Sequence, residues 1–148
     1  MNTDEIEFVL RNRCGEQFLG VFAADRLPAE LPAQRPLLMV CNTDGSDTEG
    51  SHWVCLRIDT VGEFFNSLGG AVPPVFKRYL NKHTKRWITN DVQLQSSVSY
   101  YCGHYCIFYC LYRSIGYSLK DILDCFSTDT GLNDYMAHTF VCRGVGMM

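Results

Sequence analysis

His52, Asn66, Gln95 and Cys102 follow one another in that order, and together they form a complete set for acyl transfer through sulfur. A cysteine attacks a carbonyl as its thiolate, so it needs a base within reach and surroundings that lower its pKa. The start of a helix supplies the second, because unpaired N–H groups and the positive end of the dipole lie beside the sulfur. Cys102 opens the strongest helical stretch of the chain, after the irregular connection Ser96-Ser97-Val98-Ser99. His52, at the head of a strand-like run, is the candidate base. Asn66 is the candidate group that orients its ring, with Asp59 and Glu63 as alternatives. Gln95, seven residues before Cys102, offers a side-chain amide that completes an oxyanion site with the backbone N–H of Cys102. Gln93 competes for that role from two residues away on the same expected strand face, and the seven-residue spacing favours Gln95.

The elements that must position these residues follow an α+β pattern. Asn2 with Glu5 makes a capping box, and Ile6, Phe8, Val9 and Leu10 give an apolar side to a helix ending near Cys14-Gly15. Phe18 to Ala23 reads as a strand, prolines at 28, 32 and 36 mark a loop, and Leu37 to Asn42 reads as a buried strand. Thr43 to Gly50 is an exposed connection. His52 to Ile58 and Glu63 to Leu68 flank Asp59-Thr60-Val61-Gly62 as a hairpin, which sets His52 and Asn66, equidistant from Asp59, opposite each other. A helix over Val75 to Lys85 buries Val75, Phe76, Tyr79 and Leu80, and Trp87 to Thr89 with Asp91 to Gln95 reads as another strand. Cys102 to Ile115 is apolar nearly all round and belongs in the core. The expected fold is therefore a central mixed β-sheet packed against a buried helix that carries the cysteine at its N-terminus. Helices over Leu119 to Phe126 and Leu132 to Cys142 complete a single domain spanning residues 1–148.

Composition narrows the classes of function. A chain of 148 residues, 47% hydrophobic, buries one sizeable core without staples. The polar start Met1-Asn2-Thr3-Asp4-Glu5 lacks the apolar stretch of a signal peptide, so the eight cysteines are expected to be reduced, inside the cell. No apolar run reaches the roughly 18 residues of a membrane span. The net charge of −3 argues against a globally basic nucleic-acid binder. Lys77, Arg78, Lys82, His83, Lys85 and Arg86 form one basic cluster, which reads first as a solvated helix face and second as a surface for a polyanion or an acidic substrate. Cys102, Cys106 and Cys110 rise about 12 Å along a helix, too far to share an ion, and no Cys-x-x-Cys knuckle exists. No metal and no cofactor is expected, and His83, His104 and His138 read as surface or partner-satisfied histidines.

Gly50-Ser51-His52-Trp53, Phe64-Phe65-Asn66-Ser67-Leu68-Gly69 and Leu94 through Cys106 resemble the active-site blocks of adenain, the adenovirus-type maturation protease family. They are also similar to the related proteases of large DNA transposons. The same order of His, acidic residue, Gln and Cys occurs in proteases of ubiquitin-like modifiers. The resemblance implies a cysteine endopeptidase with His52 as base, Cys102 as nucleophile and Gln95 as oxyanion donor. It implies cleavage after small residues, chiefly Gly, in viral or mobile-element precursors. Trp53, which follows the histidine, would wall a narrow substrate channel, and Gly103 would complete the substrate-binding set. Asn66 stands where the family has Asp or Glu, and a neutral amide still fixes the tautomer and orientation of the ring. The implied partners are a protein or peptide substrate with Gly near the cleaved bond, an activating peptide, and DNA through Lys77, Arg78, Lys82, Lys85 and Arg86. A viral chain would work in the host nucleus or the virion. Two readings compete: a deubiquitinase or ubiquitin-like-protein protease, and a non-catalytic protease-like binding module in which Asn66 marks lost catalysis.

Overall fold

Alternation along the strands decides the architecture of the chain, whose computed structural model describes residues 1–45 and 52–144. In β2 (Leu37–Asn42) all six residues are buried. Leu38 and Val40 enter one core, while Leu37, Met39 and Cys41 enter another. β3 (Trp53–Ile58) and β4 (Val61–Phe65) divide in the same way, with Cys55 and Phe65 on the first side and Val54, Leu56, Ile58 and Phe64 on the second. Strands buried on both faces need a covering layer on each. α1 (Thr3–Cys14), α3 (Cys102–Ser114), α4 (Leu119–Leu123) and α5 (Thr130–Thr139) supply the first, and α2 (Pro74–His83) supplies the second through Phe76, Tyr79 and Leu80.

With β1 (Phe18–Ala23) and β5 (Arg86–Thr89) at the edges, the sheet runs β1-β2-β3-β4-β5. The outer pairs are parallel and the two inner pairs antiparallel, which makes the sheet mixed, as expected. β3 lies at its centre and α3 packs across it. The capping box read from Asn2 and Glu5 is present, with Glu5 N–H donating to Asn2 Oδ1 at 2.9 Å and Asn2 N–H to Glu5 Oε1 at 3.1 Å. Ile6 and Leu10 of α1 are completely buried, a burial that stabilises by about 1.5–3 kcal/mol each. α1 sits close against α3 because Gly103 has no side chain: a Cβ there would lie 3.1 Å from Met1 Cβ and 3.4 Å from Ile6 Cδ1.

Several expected boundaries shift. The β3–β4 pairs Cys55↔Phe65, Leu56↔Phe64 and Arg57↔Glu63 centre the hairpin on Thr60, one residue beyond the expected centre at Asp59. His52 and Asn66 are thus diagonal across the end of the ladder. Val61 and Gly62 belong to β4, which stops at Phe65. Asp91 to Gln95 forms no strand: the N–H groups of Leu94 and Gln95 both reach the Ser67 carbonyl, at 2.8 and 2.9 Å, which gathers the chain into an irregular segment. α2, α3 and α4 end short of the expected limits. α5 begins at Thr130 because Asp129 caps it, accepting from Leu132 N–H at 3.1 Å, and it passes into a π-helical turn at Phe140–Gly144. The connection expected over Thr43 to Gly50 lies partly outside the described residues. Lys77, Arg78, Lys82, Lys85 and Arg86 are all exposed, and His83 packs at a tilt against Tyr79 with ring centroids 4.5 Å apart. No helix among the described residues is long and apolar enough to cross a membrane.

One buried ion pair ties β4 to α3. Arg113 donates to both oxygens of Glu63, Nε to Oε1 at 3.0 Å and Nη2 to Oε2 at 2.9 Å, while Tyr109 Oη–H donates to Oε1. Removing one member leaves the other charge buried without compensation. Glu63→Ala is expected to lower unfolding free energy by about 3 kcal/mol in urea titrations followed by circular dichroism. A loss below about 1 kcal/mol would mean that Arg113 finds other partners.

Candidate active site

Three elements converge at one end of the sheet: His52 immediately precedes β3, Asn66 immediately follows β4, and Cys102 begins α3. His52 Nε2 lies 2.7 Å from Asn66 Oδ1. The same Oδ1 accepts the backbone N–H of Leu68 at 3.0 Å. A backbone N–H only donates, so the amide atom facing it is the oxygen, and His52 Nε2 must then carry the proton. Nδ1 is left as the lone-pair nitrogen of the neutral ring, free to take the thiol proton. Asp59 and Glu63 hold other positions. Asp59 bonds Thr60 N–H and pairs with Arg57, and Glu63 is committed to Arg113 and Tyr109.

Burial is the largest influence on both reacting groups and opposes both charged forms, pulling His52 down and Cys102 up. Their mutual hydrogen bond and mutual charge act the other way. His52 gains further from the Asn66 bond and the Asp44 charge, and Cys102 from the backbone N–H groups of Trp53 and Gly103. The opposing causes prevail: His52 is held above the usual imidazole value and Cys102 below the usual thiol value. The first turn of α3 has no side-chain cap, so its amides remain available to the sulfur.

Gln95 is buried, with 2% of its surface exposed. Its Oε1 accepts Ser67 Oγ–H at 2.6 Å and its Nε2 donates to the Ser99 carbonyl at 3.1 Å. The Ser99 carbonyl only accepts, which fixes which end of the amide is nitrogen, and the second hydrogen on Nε2 is left for the cleft. Gln93 is exposed and bonds the Gln95 carbonyl at 2.8 Å and Ser97 Oγ at 2.9 Å. The two glutamines therefore do not share a face, and Gln95 is the one beside Cys102.

A cleft of about 450 Å³ brings His52, Trp53, Gln95 and Cys102 together. Met1, Leu68, Ser97, Ser99 and Tyr100 complete its lining, and sequence reasoning did not find them. The irregular connection before Cys102 was the one available signal for Ser97, Ser99 and Tyr100; nothing in the sequence pointed to Met1. Gly103 is buried against Met1 and Ile6, so what it offers the site is its backbone N–H at the Cys102 sulfur. His104 and His138 pack with Tyr101 beside this turn in edge-on and tilted contacts, with centroids 5.1 to 5.2 Å apart. Burial, with help from His138, lowers His104 to about 4.

No protein-family model and no curated protein matches the chain. Solved structures do. The ASFV pS273R protease is similar with a TM-score of 0.65 at 18% identity, over 93% of this chain and 66% of that one. ChlaDub1 from Chlamydia trachomatis is similar with a TM-score of 0.55 at 19% identity, over 72% of this chain and 58% of that one. The SUMO protease Ulp1 is similar with a TM-score of 0.50 at 16% identity, over 98% of this chain and 79% of that one. The chain spans 43% to 66% of the ASFV protease chains it matches. These likenesses establish the fold, an α+β arrangement with a mixed sheet and a buried helix shared with cysteine proteases.

The two opposed pKa shifts define a test. Lowering of the Cys102 value and raising of the His52 value both favour the thiolate–imidazolium pair over the neutral pair. Alkylation of Cys102 by iodoacetamide should reach half its maximal rate at a pH below the ordinary thiol range, and His52→Ala should move that midpoint upward. An unchanged midpoint in His52→Ala would show that ring and thiol do not interact.

Proposed function

We propose that this chain is a cysteine protease in which Cys102 forms an acyl-enzyme with its substrate. His52 Nδ1 takes the Sγ proton, and the thiolate adds to the scissile carbonyl. The oxyanion forms opposite Gln95 Nε2 and the Cys102 backbone N–H, and the imidazolium then protonates the leaving amine. Water, activated by the same ring, releases the acyl group and restores the thiol. The observation that carries this reading is the pair of bonds at Asn66 Oδ1, because they set the one tautomer of His52 that is able to deprotonate Cys102. Asn66 acts through orientation, and a full negative charge is not needed for that.

The substrate reading is narrower. Trp53 is 7% exposed and lies in the cleft beside Cys102, which supports a channel that admits a backbone with little or no side chain. That channel supports cleavage after Gly, in the manner of adenain-type maturation proteases. A ubiquitin-like-protein protease or deubiquitinase is the second reading, favoured by the extent of the match to the SUMO protease Ulp1, which covers 98% of this chain. The two readings differ in the protein that carries the cleaved bond.

A peptide library compared with modifier conjugates separates them. The expected profile has Gly at P1, and Cys102→Ala abolishes turnover while remaining folded. Gln95→Ala is expected to lower kcat on the order of 10²-fold, as does the loss of one oxyanion donor in other proteases. A preference for Arg, Lys or large aromatics at P1 would exclude the channel. Wild-type turnover by Cys102→Ala would exclude the nucleophile.

A further inference from the structure

Asn90 touches none of the reacting groups, yet its side chain is spent largely on one residue of the site. It is 1% exposed. Its Oδ1 accepts the backbone N–H of Asn66 at 3.0 Å, and its Nδ2 donates to the Asn66 carbonyl at 2.7 Å and to the Val92 carbonyl at 3.1 Å. The β4–β5 ladder has its last pair at Phe64↔Thr89. Just past that pair, the side-chain amide of Asn90 does for Asn66 what the next peptide group of a strand would do with its own N–H and C=O. The backbone of Asn66 is thereby held on both sides while the chain leaves the sheet, and Gly69 N–H adds a further bond to the Asn66 carbonyl at 2.8 Å. Only two rotatable bonds separate that anchored backbone from Oδ1, the atom that meets His52 at 2.7 Å.

We propose that Asn90 is a positioning residue for the reaction at Cys102: by fixing the backbone of Asn66 it fixes the acceptor that orients His52. This proposal rests on the protease reading for its kinetic consequence, though not for its effect on the acidity of the thiol. A residue that only closes the sheet edge would lower stability without coupling to Asn66. A residue that acts through Asn66 has nothing left to contribute once the Asn66 amide is gone.

The experiment uses Asn90→Ala, Asn66→Ala and the double variant, in the full chain, with three measurements on each. They are thermal unfolding, the pH dependence of Cys102 alkylation by iodoacetamide, and kcat and KM on a cleaved peptide. Asn90→Ala is expected to lower kcat about tenfold or more, with KM within about twofold of wild type. Its alkylation midpoint moves to higher pH. The double variant loses no more activity than Asn66→Ala alone. A wild-type midpoint in folded Asn90→Ala overturns the proposal, and so does a double variant whose loss is the product of the two single losses. If Asn90→Ala does not fold, Asn90→Asp, which is isosteric and keeps an oxygen for the Asn66 N–H but loses the donor to its carbonyl, carries the same comparison. A chain that hydrolyses nothing as wild type would count against the protease reading, and the alkylation midpoints would still decide the role of Asn90.

Discussion

The double acceptance at Asn66 Oδ1, from the Leu68 backbone and from the His52 ring, is the constraint on which the chemistry of this site depends. A carboxylate in that position would accept from either side with either oxygen. An amide has one accepting end, and something must set its direction. Leu68 N–H does so, and the direction of the amide then dictates the tautomer of His52. The neutral amide contributes no net charge to the imidazolium. Part of that deficit is made up by Asp44, whose charge also favours the protonated ring.

The same constraint explains why the sheet ends where it does. β4 must stop at Phe65 so that Asn66 turns its side chain toward His52, and an irregular segment takes over from β5 at the corresponding point. Ser67 belongs to this arrangement. Its carbonyl gathers the N–H groups of Leu94 and Gln95, and its hydroxyl fixes Oε1 of Gln95. Behind the site the helix reverses its chemistry within one turn. Cys102 meets donors and a histidine and is acidified. Cys106, four residues on, is buried, and desolvation pushes its thiol up, as it does Cys55 across the contact with β3. Identical side chains on one helix face thus differ in reactivity through surroundings alone.

The layers, and the approach of His52 to Asn66, were legible because they rest on local signals. Asn2 and Glu5 announced the first helix, the apolar run after Cys102 announced the buried one, and the hairpin spacing brought His52 toward Asn66. What was not legible depends on contacts between segments distant in sequence. Asp91 to Gln95 has the alternation of a strand, but Ser67 and the Asn90 side chain take its hydrogen bonds. The shared strand face assumed for Gln93 and Gln95 fails for that reason. The hairpin was offset by one residue because Val61 and Gly62, read as turn, pair within the sheet; Gly62 Cα lies where a Cβ would come within 2.6 Å of Thr84 Cγ2. The side of the cleft formed by Met1 was hidden because only the packing of α1 on Gly103 brings the two together.

The central hairpin joins its two site residues across 14 positions of sequence, whereas the thiol arrives on a helix that must dock on β3 from much farther along the chain. Short loops close at lower entropic cost than long ones. Without α3 docked on β3, Cys102 lies away from His52 and from the backbone groups that lower its pKa, and its sulfur has ordinary acidity. Acidity of Cys102 beyond that of an ordinary thiol is consequently a property of the docked helix: of the eight free cysteines it is the one whose thiol is acidified by what the fold places around it.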